Sequence, residues 1–299
     1  MCIVFIDIYT CYVICTLKLI NTRAYLYCFR SYTGGIMAGI ICSISNNKGG
    51  VGKTSLASNL SAALAIKKKK VLVIDNDPQG DSTKVLIPNN VRITNSIYEL
   101  LDPNNENKPN IVDCIYPTTH NRLYVLPNVE ETAGLELDFA ERYPDCLFFL
   151  RNQIRDYVIN NFDFIFIDCS PTLSVFVANA LYASDCCIVP MDAGSANSLD
   201  GLRKVLELIN SIQQEGNPDL RFLKLIVNRV DKRTAISKAI IEDAVDRFGQ
   251  DKIFNTVIPV NTAFQQAEFA QKTIFSFDNN SRGAVAYRKL AIEFLSLFK

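Results

Sequence analysis

The sequence predicts an α/β fold, a mostly parallel twisted sheet with helices on both faces. Short apolar runs rich in β-branched residues alternate with stretches of helical period. The first run leads into a glycine-rich loop and then a helical stretch, and two later runs end in aspartates. Strand, helix, strand in repetition is how a chain returns parallel to itself, so the alternation implies crossovers on both sides of one sheet.

The chain opens on a segment outside this scheme. Residues 1–36 are rich in Cys, Tyr and Ile, lack both helical and alternating period, and end at Gly34-Gly35-Ile36 before Met37. Asp7 and the missing basic start argue against a secretory signal. Asp7 and Lys18 argue against a membrane span, because charges in the middle of a bilayer are costly. The expectation is a non-native or disordered extension over 1–36 and a single domain over 37–299.

A first strand over 40–45 runs into Asn46-Asn47-Lys48-Gly49-Gly50-Val51-Gly52-Lys53-Thr54-Ser55, followed by a helical run over 56–66. Strand, glycine loop and helix in that order are what a phosphate-binding loop requires. Glycines let backbone amides close around phosphate oxygens, and the helix N-terminus adds partial positive charge. Lys53 would reach the terminal phosphates and the Thr54 hydroxyl would hold magnesium. The strict Walker A pattern fails at Asn47, where it asks for glycine.

Lys67 to Lys70 read as a solvated turn before a second strand, 71–75, which ends in Asp75-Asn76-Asp77-Pro78-Gln79-Gly80. Alone, that is a common strand-ending turn. Residues 102–110, rich in Asn and Pro, read as a surface excursion. Strands follow over 123–126 and 162–168. The second of these is an apolar run ending in Asp168, the form of a Walker B motif whose aspartate binds magnesium. Further strands are expected over 186–191, 223–227 and 254–259, with amphipathic helices over 199–212 and 236–248.

Composition narrows the function. The 31 basic and 31 acidic residues cancel, so any binding to nucleic acid or anionic lipid must use a local patch. Ten cysteines scattered through 299 residues, several inside apolar runs, read as buried reduced thiols. With no C-x-x-C and His120 the only histidine, a zinc site is not expected.

The stretch Lys48-Gly49-Gly50-Val51-Gly52-Lys53-Thr54 resembles the deviant Walker A box of the ParA/MinD family, in which an extra lysine precedes the glycines. The Asp75 to Gly80 segment and the strand ending at Asp168 resemble that family's next two motifs, in its order. Leu225-Ile226-Val227-Asn228-Arg229, Ile258-Pro259 with Glu268 and Ala270, and Phe277 to Tyr287 extend the resemblance from about residue 40 to the C-terminus.

The resemblance implies a P-loop NTPase fold of the deviant Walker A type and an ATPase using ATP and Mg2+. Lys48, Lys53 and Asp77 would serve catalysis, Asp77 by orienting the attacking water. Lys48, Gly49, Gly50, Val51, Gly52, Lys53, Thr54, Ser55, Asn228 and Pro259 would hold nucleotide. Thr54, Asp75 and Asp168 would surround the metal. Two lysines flanking one glycine loop cannot easily approach one phosphate from the same side, so Lys48 is expected to act across an ATP-dependent homodimer.

Within the family, the chain resembles the small Soj-like partition ATPases, cytoplasmic and nucleoid-associated when ATP-bound. These bind DNA without sequence preference and leave site recognition to a ParB-like partner. Lys232, Arg233 and Lys238 are the expected DNA contacts, although Val260 and Ala263 stand where many relatives carry arginine. No added membrane-binding helix follows the last helical stretch, so no membrane partner is expected. Two other uses of the same engine stay open: a MinD-like or other cargo-positioning switch, and a nucleotide-gated electron-transfer protein. Against the second, Cys169 directly follows Asp168, nearer than that class places its cluster cysteine.

Overall fold

The computed structural model describes residues 38–194, 198–231 and 233–299, and the expectation for residues 1–36 lies outside the described residues. Along the chain come β1 (Ile40–Ile44), α1 (Lys53–Ile66), β2 (Val71–Asn76), α2 (Asp81–Leu86), α3 (Ile97–Leu101), β3 (Tyr116–Pro117) and β4 (Leu123–Leu126). Then follow α4 (Leu135–Glu141), α5 (Phe149–Asn161), β5 (Phe164–Cys169), α6 (Val175–Ala183), β6 (Cys186–Asp192) and α7 (Ser198–Glu215). The chain closes with β7 (Arg221–Asn228), α8 (Ala235–Phe248), α9 (Thr262–Phe269), α10 (Ile274–Phe277) and α11 (Arg282–Ser296).

The strands form one sheet in the order β3-β4-β2-β5-β1-β6-β7. All neighbours are parallel except β3 with β4. Strands β1, β2, β5 and β6 are buried at every position, which is why their sequences read as unbroken apolar runs. Alternate side chains serve opposite layers. Ile41, Ile165 and Val189 join a core with α5, α6 and α7, whereas Phe164 and Phe166 stack edge-on or tilted against Phe294 of α11, which packs beside α1.

Local signals set the helix starts. Ser96 and Glu99 form a reciprocal capping box at α3, and Thr234, Asn261, Thr273 and Ser281 cap α8, α9, α10 and α11 with their side chains. Residues 102–110 form an irregular, largely exposed excursion, as the sequence suggests. The six described cysteines are buried and free. Among the described residues no helix is long and apolar enough to cross a membrane.

Two features depart from the sequence reading. Residues 254–259 do not form a continuous strand; they meet β7 and its extension at the isolated bridges Leu225↔Ile253 and Val230↔Pro259 and through the Ile258 amide on the Val227 carbonyl (2.9 Å). The cause is Glu293 of α11, whose two carboxylate oxygens accept the amides of Asn255 (2.7 Å) and Thr256 (2.8 Å) and so pull them out of the ladder. The seventh strand is instead β3, a two-residue antiparallel edge whose Pro117 leaves no donor on the open side.

Candidate active site

The chemistry gathers at the C-terminal ends of β1, β2, β5 and β7, where an open α/β sheet places its crevice. The loop after β1 turns through Gly50 and Gly52, with φ of 71° and 90°. At Gly52 a side chain is doubly excluded, because a Cβ there would lie 2.8 Å from Nδ2 of Asn228. At Gly49 and Gly50 a Cβ would meet nothing within 4 Å. The loop therefore faces open space on that side.

Lys53, first residue of α1, is buried, and its ammonium donates back to the carbonyls of Lys48 (3.0 Å) and Asn46 (3.3 Å). Burial lowers its pKa, opposed by the negative charges of Asp168 and Asp77 among others. Lys48 is half-buried at the start of the glycines. Ser55, two residues into α1, meets the Tyr287 hydroxyl at 3.4 Å, and its carbonyl accepts from Asn59.

Asp75 and Asp168 are register partners on β2 and β5, and both are fully buried. Asp75 accepts the Thr83 amide (2.8 Å) and hydroxyl (2.6 Å) on one oxygen and the Asp77 amide (3.2 Å) on the other. Burial, then the charge of Asp168, pushes its carboxyl up to about 8. Asp168 accepts the Ser82 hydroxyl at 2.6 Å on Oδ2. Burial raises it to about 6, while the Ser82 and Thr54 hydroxyls favour its ionised form. Its Oδ1 is buried with no donor. Asp77 lies half-buried at the rim and holds the Gln79 amide at 3.1 Å.

An orphaned buried carboxylate oxygen beside a threonine hydroxyl is the donor set a hard divalent cation takes, so Asp168 and Thr54 fit magnesium. Asp75 differs: both its oxygens already serve the turn that follows β2. Asn228, at the end of β7, donates to the Val51 carbonyl at 2.7 Å, and its buried Oδ1 has no partner. That free acceptor suits an amino group such as adenine carries. Pro259 sits beside it through the bridge to Val230.

The AAA domain family matches residues 39–222, more than half of the chain. The sporulation initiation inhibitor protein Soj of Bacillus subtilis (strain 168) is 34% identical over 260 residues, covering 85% of this chain and 98% of that protein. The chromosome partitioning protein ParA of Myxococcus xanthus is 32% identical over 274 residues, covering 92% and 94%. The chain belongs to the ParA/MinD family of P-loop ATPases. Solved structures agree on the fold. The cell division ATPase MinD of Pyrococcus furiosus superposes with a TM-score of 0.69 at 25% identity over 87% of this chain and 99% of its own. Cobyrinic acid a,c-diamide synthase from Mycobacterium smegmatis, with bound ADP and magnesium, gives 0.72 at 28% over 86% and 94%.

For a ParA/MinD protein, the folded chain thus brings together Lys48, Lys53, Thr54, Asp75, Asp77, Asp168 and Asn228. It treats the expected DNA contacts differently. Lys232 lies outside the described residues. Arg233 is bound through two nitrogens by Asp231 (2.9 and 2.8 Å), and Lys238 lies 3.8 Å from Glu242, so both cations already have acidic neighbours. Ser82 and Thr83 belong to none of the motifs legible in the sequence. Their signal is two adjacent hydroxyl residues opening a helix five positions after Asp77.

Proposed function

We propose that the protein is a Mg2+-dependent partition ATPase that dimerises on ATP, binds DNA nonspecifically in that state, and hydrolyses ATP when a ParB-like centromere-binding or adaptor protein engages it. The observation that carries the catalytic part is Lys53 folded over the glycine loop beside the donorless Oδ1 of Asp168. The kinship with partitioning proteins over most of the chain supports the biological part.

In this reading the amides of Gly49 to Ser55 and the Lys53 ammonium hold the phosphates of ATP, exchanging the carbonyl contacts of Lys53 for phosphate oxygens. Asn228 and Pro259 seat the base. Thr54 and Asp168, with Asp75 just behind, would hold magnesium, which would supply neutralisation of charge on the phosphates. Asp77, at the rim, accepts a hydrogen bond from the attacking water and orients it in line. Lys48 reaches across to the partner's triphosphate, so the pair holds together while the terminal phosphate is present. Arg233, Lys238 and Lys232 contribute to a DNA-facing surface, where phosphates must compete with Asp231 and Glu242 for the first two. The dimer works on the nucleoid in the cytoplasm and needs no membrane.

The test is nonspecific duplex binding by the Asp77→Ala protein, which should keep ATP without turning it over. Retention with ATP, loss with ADP and a steep fall with added salt are expected. Equal retention with both nucleotides, or none with either, would turn the reading toward a positioning switch for another cargo.

A further inference from the structure

We propose that Ser82 is a positioning residue for the metal-binding carboxylate, an assignment that rests on the reading of Asp168 given above. The first turn of α2 follows Gly80, whose left-handed backbone (φ 66°) turns the chain back over the ends of two strands. From there consecutive side chains take separate carboxylates. Thr83 binds Asp75 on β2 through its amide and hydroxyl, and Ser82 donates to Oδ2 of Asp168 on β5 at 2.6 Å. Ser82 and Asp168 are both removed from solvent, at 0% and 1% exposure, so water cannot replace this donor.

The consequence is asymmetry between the two oxygens of Asp168. A carboxylate turns easily about its last bond, and a buried donor held on one oxygen restrains that rotation. With Oδ2 held by Ser82, Oδ1 is the oxygen left without a donor. A supporting hydrogen bond of this kind orients a metal ligand before the metal arrives, and its loss commonly weakens metal affinity by ten- to a hundredfold.

Ser82 also joins the metal position to the rim. The turn between Asp77 and α2 is closed by the Gly80 amide on the Asp77 carbonyl (2.9 Å) and the Gln79 amide on the Asp77 carboxylate (3.1 Å). One rigid turn thus carries both the residue that orients water and the residue that orients Asp168.

The experiment uses the full chain and Mn2+ as probe. Mn2+ is titrated into the protein with ADP, free Mn2+ is followed by its paramagnetic resonance signal, and ADP affinity is measured separately in excess EDTA. Ser82→Ala should raise the Mn2+ dissociation constant about tenfold while leaving metal-free ADP affinity within about twofold. Asp168→Asn is the comparator. If Ser82→Ala binds Mn2+ like the parent while Asp168→Asn loses it, the role of Ser82 is overturned and that of Asp168 stands. Parallel losses of Mn2+ and metal-free ADP affinity in Ser82→Ala would mean a general structural role and overturn the proposal. Unchanged Mn2+ affinity in both variants would remove the reading of Asp168, and this proposal with it.

Discussion

Asp75 and Asp168 stand side by side on neighbouring strands, out of reach of water, and each is held above the ordinary carboxylate range chiefly by burial. Such groups bind protons more tightly in the folded chain than in the unfolded one, so their contribution to stability is complete at low pH. For Asp168 it fades as pH rises through about 6, and for Asp75 through about 8. The nucleotide-free, metal-free protein should therefore lose stability between pH 5 and pH 8. Asp168→Asn removes one of the two charges at nearly constant shape. Thermal unfolding in EDTA should show the variant gaining about 1–2 kcal/mol on the parent at pH 8, with the gap narrowing below about pH 6 and closing only near pH 4. A gap that does not change with pH contradicts this. At this scale the sequence was legible wherever a residue belonged to a motif: Lys53, Thr54 and Asp168 stand where the glycine loop and the strand end put them. Ser82 and Thr83 were not, because a hydroxyl becomes informative only once the fold shows which carboxylate it faces. Arg233 was half legible: its sequence position shows the cation, while the neighbouring Asp231 that engages it emerges only from the turn.

Among the elements, buried parallel strands were the easiest to see. β1, β2, β5 and β6 need apolar residues on both faces, and that leaves solid runs in the sequence. Residues 254–259 carry a similar run and still form no continuous strand. The deciding group lies far along the chain, on α11, where Glu293 captures two successive amides. No local pattern encodes that. β3 escaped notice for the opposite reason, since two residues at an edge carry no period. Glu293→Ala should free the Asn255 and Thr256 amides and cost about 1–2 kcal/mol, since two hydrogen bonds to a partly exposed carboxylate are lost. Melting should drop by about 2–8 °C. Because the segment leads into Pro259, affinity for the base should weaken as well, measured by comparing ATP with inorganic triphosphate. An effect equal for both ligands would separate this segment from the base.

At the scale of the molecule, residues 40–296 supply every strand and helix of the described sheet and its covering layers. We propose that this part works alone, so a protein begun at Met37 should fold and hydrolyse ATP at the rate of the full chain. Insolubility or lost turnover would show that residues 1–36 matter. Nucleotide, we propose, acts by joining two copies. The glycine loop carries two lysines, and Lys53 is already turned inward onto the carbonyls of Asn46 and Lys48. We propose that Lys48 bridges the copies, and that the same step brings the Arg233 and Lys238 faces of two copies together for DNA. The direct measurement is molecular mass by light scattering with ATP, in the Asp77→Ala background that blocks turnover, with and without Lys48→Ala. A dimer is expected for Asp77→Ala with ATP and a monomer with ADP. A nucleotide-bound monomer is expected once Lys48→Ala is added. A doubly substituted protein that dimerises on ATP as fully as Asp77→Ala alone would show that Lys48 does not act across the pair.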